Sequence, residues 1–125
     1  MPAYSQEQVP IEFEVDVAQT RTVEQGGMTI AFERLSAGVE TAPLYEGLPD
    51  DACQSAHWGY LVEGRLRVRL TDGTEESIVA GQAYHLPAGH NVVVEDDALV
   101  VEFSPTADRA RTMEHAARMM QGAGA

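Results

Sequence analysis

Short runs in which apolar and polar residues alternate recur along most of this chain, about ten residues apart and separated by turn residues. The clearest run covers residues 11–17, where Ile, Phe and Val alternate with Glu and Asp without a break. Because successive side chains of a β-strand point to opposite faces, this run predicts a strand with one buried and one wet face. Many short strands joined by turns predict an all-β sandwich or barrel.

The end of the chain has a different period. Residues 104–106, Ser-Pro-Thr, are typical of a helix start. Apolar residues then follow at spacings of three and four, which predicts one face of an amphipathic helix. These are Ala107, Ala110, Met113, Ala117 and Met120. We expect this stripe to pack on the sheet or on a second subunit, His115 to lie on the surface, and Gly122 and Gly124 to end the helix.

With 125 residues, the chain has the length of one domain with a real hydrophobic core. We predict an N-terminal arm at residues 1–10, a β-barrel at 11–105, and a C-terminal helix and tail at 106–125 in the same domain. No apolar run approaches the roughly 18 residues of a membrane span. The start of the chain has neither the basic nor the apolar segment of a signal peptide. We therefore expect a cytoplasmic protein.

The charge of the chain limits its partners. There are 20 acidic residues against 8 basic ones, a formal net charge of −12, and every basic residue is an arginine. Nucleic acids and anionic membrane surfaces are also negative, so we predict neither as a partner. The absence of lysine excludes chemistry that runs through a lysine Schiff base.

One stretch carries donor groups that transition metals prefer. The only cysteine, Cys53, precedes His57 by four residues, and Asp51 lies two residues before it. In a strand these three side chains would share one face. The other interpretation is that Cys53 is a small buried apolar residue and that His57 is a hydrogen-bonded core histidine. A single cysteine cannot form an intrachain disulfide.

Two motifs in this part of the chain resemble those of the cupin superfamily. They are YLVEGRLRV at residues 60–68 and GQAYHLPAGH at residues 81–90, the second with the family spacing of Gly, five residues, Pro, one residue, Gly. Residues 53–60 are similar to a subgroup of small cupins with a Cys, three residues, His-Trp-Gly-Tyr signature. The resemblance covers residues 50–104. It implies an antiparallel jelly-roll barrel that usually holds a divalent metal, often in a homodimer.

The resemblance also implies a set of metal ligands. Counting back from residues 60–64 places Asp51, Cys53 and His57 where the family has His, His and Glu. The histidine of the second motif would fall on Val92, but this chain has His90, two residues earlier and on the same face of a strand. Cys53, His57 and His90 are therefore the predicted ligands. His85, Asp51 or Tyr84 would fill a fourth position, with Tyr84 otherwise a pocket residue.

A thiolate with two imidazoles suits Zn²⁺ first, and iron or copper less well. Three protein ligands leave a position open for water or substrate, and zinc lowers the pKa of bound water to roughly 7. We predict a cupin that acts on a small organic molecule inside the barrel, with the metal as Lewis acid or water activator in isomerase, cyclase or lyase chemistry. Oxygenase chemistry is the variant for iron or copper. A non-catalytic binding or sensing module, and a structural dimer with a filled barrel, remain alternatives that the cavity would separate.

Other side chains of the motif region are expected to point away from the pocket. Trp58 and Tyr60 have the opposite strand parity to His57, which indicates packing between sheets or in a dimer. The three arginines at residues 65–69 share a wet face. Arg34 is the one unplaced candidate for a cation inside the pocket.

Overall fold

A computed structural model describes residues 3–123 of the chain, so residues 1–2 of the predicted arm and Gly124 of the predicted helix stop lie outside it. Its strands and α-helices in chain order are β1 (Ile11–Val15), β2 (Ala18–Gln25), β3 (Met28–Leu35), α1 (Ala42–Tyr45), β4 (His57–Leu70), β5 (Glu75–Val79), β6 (Ala83–Leu86), β7 (His90–Pro105) and α2 (Thr106–Ala123). Short 3-10 turns at Gln6–Gln8 and Pro49–Asp51 precede β1 and β4. Within the described part of the chain, neither helix is long and apolar enough to cross a membrane.

The strands pair antiparallel in one sheet with the order β1-β2-β3-β7-β4-β5, and β6 pairs with the first half of β4. The last strand of the chain, β7, therefore lies between β3 and β4. In this arrangement, side chains from the beginning, middle and end of the chain become direct neighbours across the sheet. The strands β3, β4 and β7 meet in this way around one cavity.

Strand β4 shows which side of the sheet faces the interior. Leu61 is fully buried, whereas Trp58 and Tyr60 are 45% and 46% exposed, as their strand parity predicted. The pairing of β4 with β7 is irregular around Gly64, whose φ of 98° suits a glycine. At this point the inward-facing side chains of β4 change from odd-numbered to even-numbered residues. Beyond this irregularity Leu66 is buried and the three arginines of β4 are exposed. The core cluster comprises Leu61, Leu66, Val68, Ile78, Leu86, Val94, Ala98 and Val100.

The first strand departs from its prediction, because most of its apolar face is not buried. Ile11 and Val15 are 45% and 47% exposed, and Val17 beyond the strand is 50% exposed. The strand β1 is at the edge of the sheet, and its register with β2 shifts between Ile11 and Phe13. This bulge lets both Glu12 and Phe13 line the cavity. The alternation correctly predicted a strand but not the face that the rest of the protein covers.

The C-terminal helix turns only part of its predicted apolar stripe inwards. Met113, Ala117 and Met120 line the cavity, while Ala107 and Ala110 are exposed. The buried residues, which the stripe did not include, are Arg109, Thr112 and Ala116. Charge pairing explains the difference, since a buried arginine is stabilised when a carboxylate binds its guanidinium. His115 lies at the surface end of this face, and its Nε2 is 2.7 Å from the Glu46 carbonyl oxygen.

Candidate metal centre

The donor atoms of Cys53, His57 and His90 lie within 4.8 Å of one another, close enough to bind one metal ion. The Cys53 Sγ is 3.4 Å from the His57 Nε2. The two imidazole rings are 5.0 Å apart between centroids and nearly perpendicular, with an interplanar angle of 71°. The structure therefore brings together the three residues that the sequence nominated as ligands.

Backbone pairing, rather than a continuous strand, places Cys53 beside His90. The predicted strand through residues 50–57 is replaced by the 3-10 turn at Pro49–Asp51 and an irregular segment, and β4 begins only at His57. Cys53 forms an isolated antiparallel bridge with His90, with the Cys53 N–H donating to the His90 carbonyl at 2.9 Å. The N–H of Gly89 donates back to the Cys53 carbonyl at 2.6 Å. Two points of backbone contact thus fix the distance between these ligands.

Each histidine ring is oriented by a hydrogen bond at its Nδ1. The His90 Nδ1 is 2.7 Å from the Pro87 carbonyl oxygen, which can only accept, so this nitrogen carries the proton. The His57 Nδ1 is 2.6 Å from the Ser104 hydroxyl. In both rings the Nε2 remains available as a ligand. Hydrogen bonds of this type orient the histidine ligands of protein metal sites.

The protonation states of the three side chains follow from their burial. Burial lowers the pKa of His57 and that of His90 to about 4, so both imidazoles are neutral at pH 7. Burial raises the pKa of the Cys53 thiol to about 11. Metal binding would therefore release the thiol proton, because a thiolate is the form that coordinates.

The three candidates for a fourth ligand lie elsewhere. Asp51 is exposed, and its Oδ1 accepts a hydrogen bond from the Gly47 N–H at 2.9 Å. His85 lies on the outer side of the sheet, where its ring stacks on Trp58 with centroids 5.0 Å apart. The Tyr84 hydroxyl donates to a Glu102 oxygen at 2.6 Å. Among residues 3–123, the ligand group contains three His, Cys, Asp or Glu side chains and no fourth.

The three donors face a cavity of about 350 Å³. Its walls are mainly apolar and come from the strands β1, β2, β3, β4, β6 and β7 and from both α-helices. Val92, at the position of the family's second-motif histidine, is part of the wall. Tyr84 does not line the cavity, but its hydroxyl binds Glu102, which does. The cavity is large enough for a small organic molecule beside the ligand group.

The cation in the cavity is Arg109 and not Arg34. Arg34 is exposed and its Nη1 is 3.9 Å from the Glu63 carboxylate. Arg109 is 8% exposed and binds both carboxylate oxygens of Glu12 at 3.0 Å each. Nothing in the local sequence of the helix indicates this, because the partner is 97 residues away.

Two further cavity residues, Glu33 and Glu102, were also missed at the sequence level. Glu33 is the one carboxylate of Met28–Leu35, and Glu102 interrupts the apolar run at residues 98–103, and this was the available signal. An ionisable residue that is buried in a strand costs free energy unless it is paired, so its presence indicates a function or a partner.

No family model matches this sequence, and no curated protein matches it in a sequence search. Solved structures do match. An RmlC-like cupin from Shewanella frigidimarina is 18% identical, with a TM-score of 0.61 over 84% of this chain and 91% of that one. Ectoine synthase from P. lautus is 15% identical, with a TM-score of 0.61 over 84% of this chain and 78% of that one. KdgF from Halomonas sp. is 22% identical, with a TM-score of 0.59 over 82% of this chain and 91% of that one.

Similarity at this level of identity concerns the fold. The matches cover most of this chain and most of each similar chain, so they are not limited to one motif. The prediction of an antiparallel all-β fold with a C-terminal helix is confirmed. This chain therefore shares the fold of these solved structures, one of which is an RmlC-like cupin.

Proposed function

We propose that this protein binds a transition metal, zinc by preference, through Cys53, His57 and His90 and acts on a small organic molecule in the adjoining cavity. The observation that carries the proposal is the convergence of three buried donors on one side of a 350 Å³ cavity. One sulfur and two imidazole nitrogens form a donor set that suits Zn²⁺, with iron or copper as other occupants. The ring orientations set by Pro87 and Ser104 fit such a site.

A metal bound by three protein ligands would supply a Lewis acid or an activated water at its open position. The protein itself contributes the remaining properties of the site. The apolar walls exclude water, and the irregular segment around Cys53 leaves the cavity side of the donors uncovered. These features support isomerase, cyclase or lyase chemistry on a substrate that enters the cavity. One of the structurally similar proteins is a synthase with the same fold.

A non-catalytic binding or sensing module is the second candidate. It shares the metal and the cavity but performs no reaction, so turnover of a substrate would separate the two. The cavity itself argues against a structural dimer with a barrel filled by side chains.

We also infer that two copies of the chain associate through the outer face of the sheet. Trp58, Tyr60 and Phe103 are 41–46% exposed there, and Trp58 is directly opposite Phe103 in the pairing of β4 with β7. A second copy would cover these side chains. Sedimentation analysis of wild type and Trp58→Glu tests this, with a dimer that becomes a monomer expected and a monomeric wild type as the contrary result.

Metal titration of untagged protein purified without chelators tests the main proposal. We expect about one zinc per chain and, in Cys53→Ala or His90→Ala, a loss of affinity greater than the roughly 10–100-fold that removal of a supporting hydrogen bond costs. His85→Ala is the matched control, since this histidine faces away from the ligand group, and should bind zinc as the wild type does. Unchanged affinity in Cys53→Ala would refute the proposed site.

A further inference from the structure

Two carboxyl groups from neighbouring strands meet in the cavity. In the pairing of β3 with β7, Ala31 is opposite Glu102, and Glu33 lies two residues further along β3 on the same face. Residues in this diagonal relation are within reach of each other when their side chains are long. Both carboxyl groups line the cavity, and the negative charge of Glu102 acts on Glu33.

Each of these carboxyl groups also has a hydroxyl partner. The Thr20 hydroxyl donates to Glu33 Oε2 at 3.2 Å, and the Tyr84 hydroxyl donates to Glu102 Oε1 at 2.6 Å. Tyr84 reaches Glu102 across Gly59, where an added Cβ would lie 2.6 Å from the tyrosine ring. The arrangement holds both carboxyl groups in place from two sides.

The surroundings of Glu33 favour its protonated form. Burial and the negative charge of Glu102 raise the pKa of Glu33 to about 7. The other charged or titratable groups that act on Glu33, Arg109 of α2 and His57 of β4, oppose this rise with smaller effects. A carboxyl group with a pKa near neutral can both donate and accept a proton.

A polar group without a partner indicates that a ligand belongs in the same cavity. The Thr112 hydroxyl is buried, lines the cavity and has no hydrogen-bond partner among the described residues. A threonine within a helix usually donates to the carbonyl four residues earlier, and here it does not. Leaving a buried hydroxyl unpaired costs free energy that a ligand oxygen would recover.

The charges that line the cavity favour an uncharged ligand. Arg109 is already bound by Glu12 in a bidentate pair, so within residues 3–123 no unpaired arginine lines the cavity. The two carboxyl groups carry a negative charge unless both are protonated. An anionic ligand would meet repulsion there, whereas a hydroxyl or carbonyl group would find hydrogen-bond donors and acceptors.

We propose that Glu33 and Glu102 transfer protons to and from an uncharged hydroxy or oxo compound in the cavity, with Thr112 binding one of its oxygens. This inference rests on the proposed function, because the compound occupies the space beside the metal ligands.

The proposed step moves one proton and consumes no oxidant or reductant. A Glu33 carboxylate oxygen accepts a proton from a carbon next to the carbonyl of the compound, so that a C–H bond breaks and an O–H bond forms. The electron pair of the C–H bond stays on the compound as an enolate. Return of the proton to the enolate oxygen gives the enol, a tautomer of the compound, and restores the carboxylate.

Infrared spectroscopy of the protein without substrate tests the protonation of Glu33. We expect the carbonyl stretching band of a protonated carboxyl group that titrates near pH 7 in wild type and is absent from Glu33→Gln. Glu63→Gln, a change of an exposed carboxylate paired with Arg34, is the matched control and should keep the band. A wild-type protein without such a band overturns the proposal, whether or not it binds metal.

Deuterium exchange tests the transfer itself. Zinc-loaded protein in D2O should deuterate the α-carbons of 2-pentanone faster than buffer does, and should deuterate its anionic counterpart levulinate much less. Glu33→Gln should lose roughly 100-fold or more of this rate, with zinc content unchanged, and Thr112→Val should raise the KM. No deuteration by wild type, or equal rates in Glu33→Gln, overturns the proposal. Deuteration by a protein that binds no metal would instead sustain the carboxyl pair and refute the metal site.

Discussion

Two carboxylates of the same cavity, Glu12 and Glu33, have opposite environments. Burial alone would raise the pKa of Glu12, but the hydrogen bonds and positive charge of Arg109 lower it below its usual value. Glu33 is also buried, but its neighbour is a second carboxyl group, and its pKa rises to about 7. Burial favours the protonated form of both carboxyl groups; beside Arg109 this effect is overcome, whereas beside Glu102 it is reinforced.

Glu12 has a structural role in this cavity, and Glu33 has a chemical one. The pair of Glu12 and Arg109 connects the edge strand β1 to the helix α2, and in this way holds the helix against the cavity. The pair of Glu33 and Glu102 connects two strands that are already joined by backbone hydrogen bonds, so it adds little to the fold. We therefore expect the first pair to matter for stability and the second for reactivity and pH dependence.

Removal of the cation should have the largest effect on stability. Arg109→Met leaves Glu12 without its partner, which costs about 3–5 kcal/mol for a fully buried pair. Because the Glu12 side chain is 37% exposed, solvent reduces the expected loss to about 2–3 kcal/mol of unfolding free energy, measurable by urea denaturation. Arg111→Met on the exposed face of the same helix is the control and should change stability by less than about 1 kcal/mol. Equal losses in the two variants would contradict a structural role for the pair.

The stability of Glu33→Gln relative to wild type should depend on pH. Between about pH 4.5 and 7, the folded wild type keeps the Glu33 proton that the unfolded chain has released, so wild-type stability from this group falls as the pH rises. Glutamine cannot ionise. The variant should therefore gain about 2 kcal/mol on wild type from pH 4.5 to 8. His90 contributes equally to both proteins and cancels in the difference, whereas Glu33 raises the pKa of His57 and leaves a smaller histidine contribution.

This comparison needs denaturation curves of both proteins across that pH range. A difference in stability that stays constant with pH would mean that Glu33 is ionised like an ordinary surface carboxylate. Glu33 would then not differ from Glu12 in its protonation state.

Tyr84, which donates a hydrogen bond to Glu102, provides a further test of the second carboxyl pair. Tyr84→Phe removes the hydroxyl that donates to Glu102 and leaves this carboxylate oxygen without its partner. The free energy of unfolding should fall by about 1.5 kcal/mol, measured by urea denaturation. Tyr60→Phe, which alters an exposed tyrosine of the outer face, is the control. Equal stability of Tyr84→Phe and wild type would show that Tyr84 does not hold Glu102 in place.

The sequence pattern predicted the parts of this molecule that depend on neighbours along the chain. Alternation and turn residues predicted the strands, and the motif resemblance nominated Cys53, His57 and His90, which the structure brings together. The resemblance succeeded there because Cys53 and His90 are placed by backbone pairing, which tolerates changes of side chain. It did not place His85, because the parity of the short strand β6 turns that side chain outwards.

The features that the sequence did not predict depend on pairing between distant segments. Glu33 and Glu102 become neighbours only because β7 inserts between β3 and β4. Arg109 is buried only because Glu12, at the other end of the chain, meets it. A hydrophobic pattern cannot reveal such partners, since each charged residue taken alone is typical of a solvated face.

X-ray absorption at the edge of the bound metal tests the central claim most directly, because it identifies both the ion and its ligand atoms. For zinc-loaded wild type, the account predicts one sulfur at about 2.3 Å and two imidazole nitrogens at about 2.0–2.1 Å, with one lighter ligand from solvent. In Cys53→Ala the sulfur contribution should disappear. A zinc environment without sulfur in the wild type, or with no change in the variant, would contradict the assignment of the cavity as a metal centre.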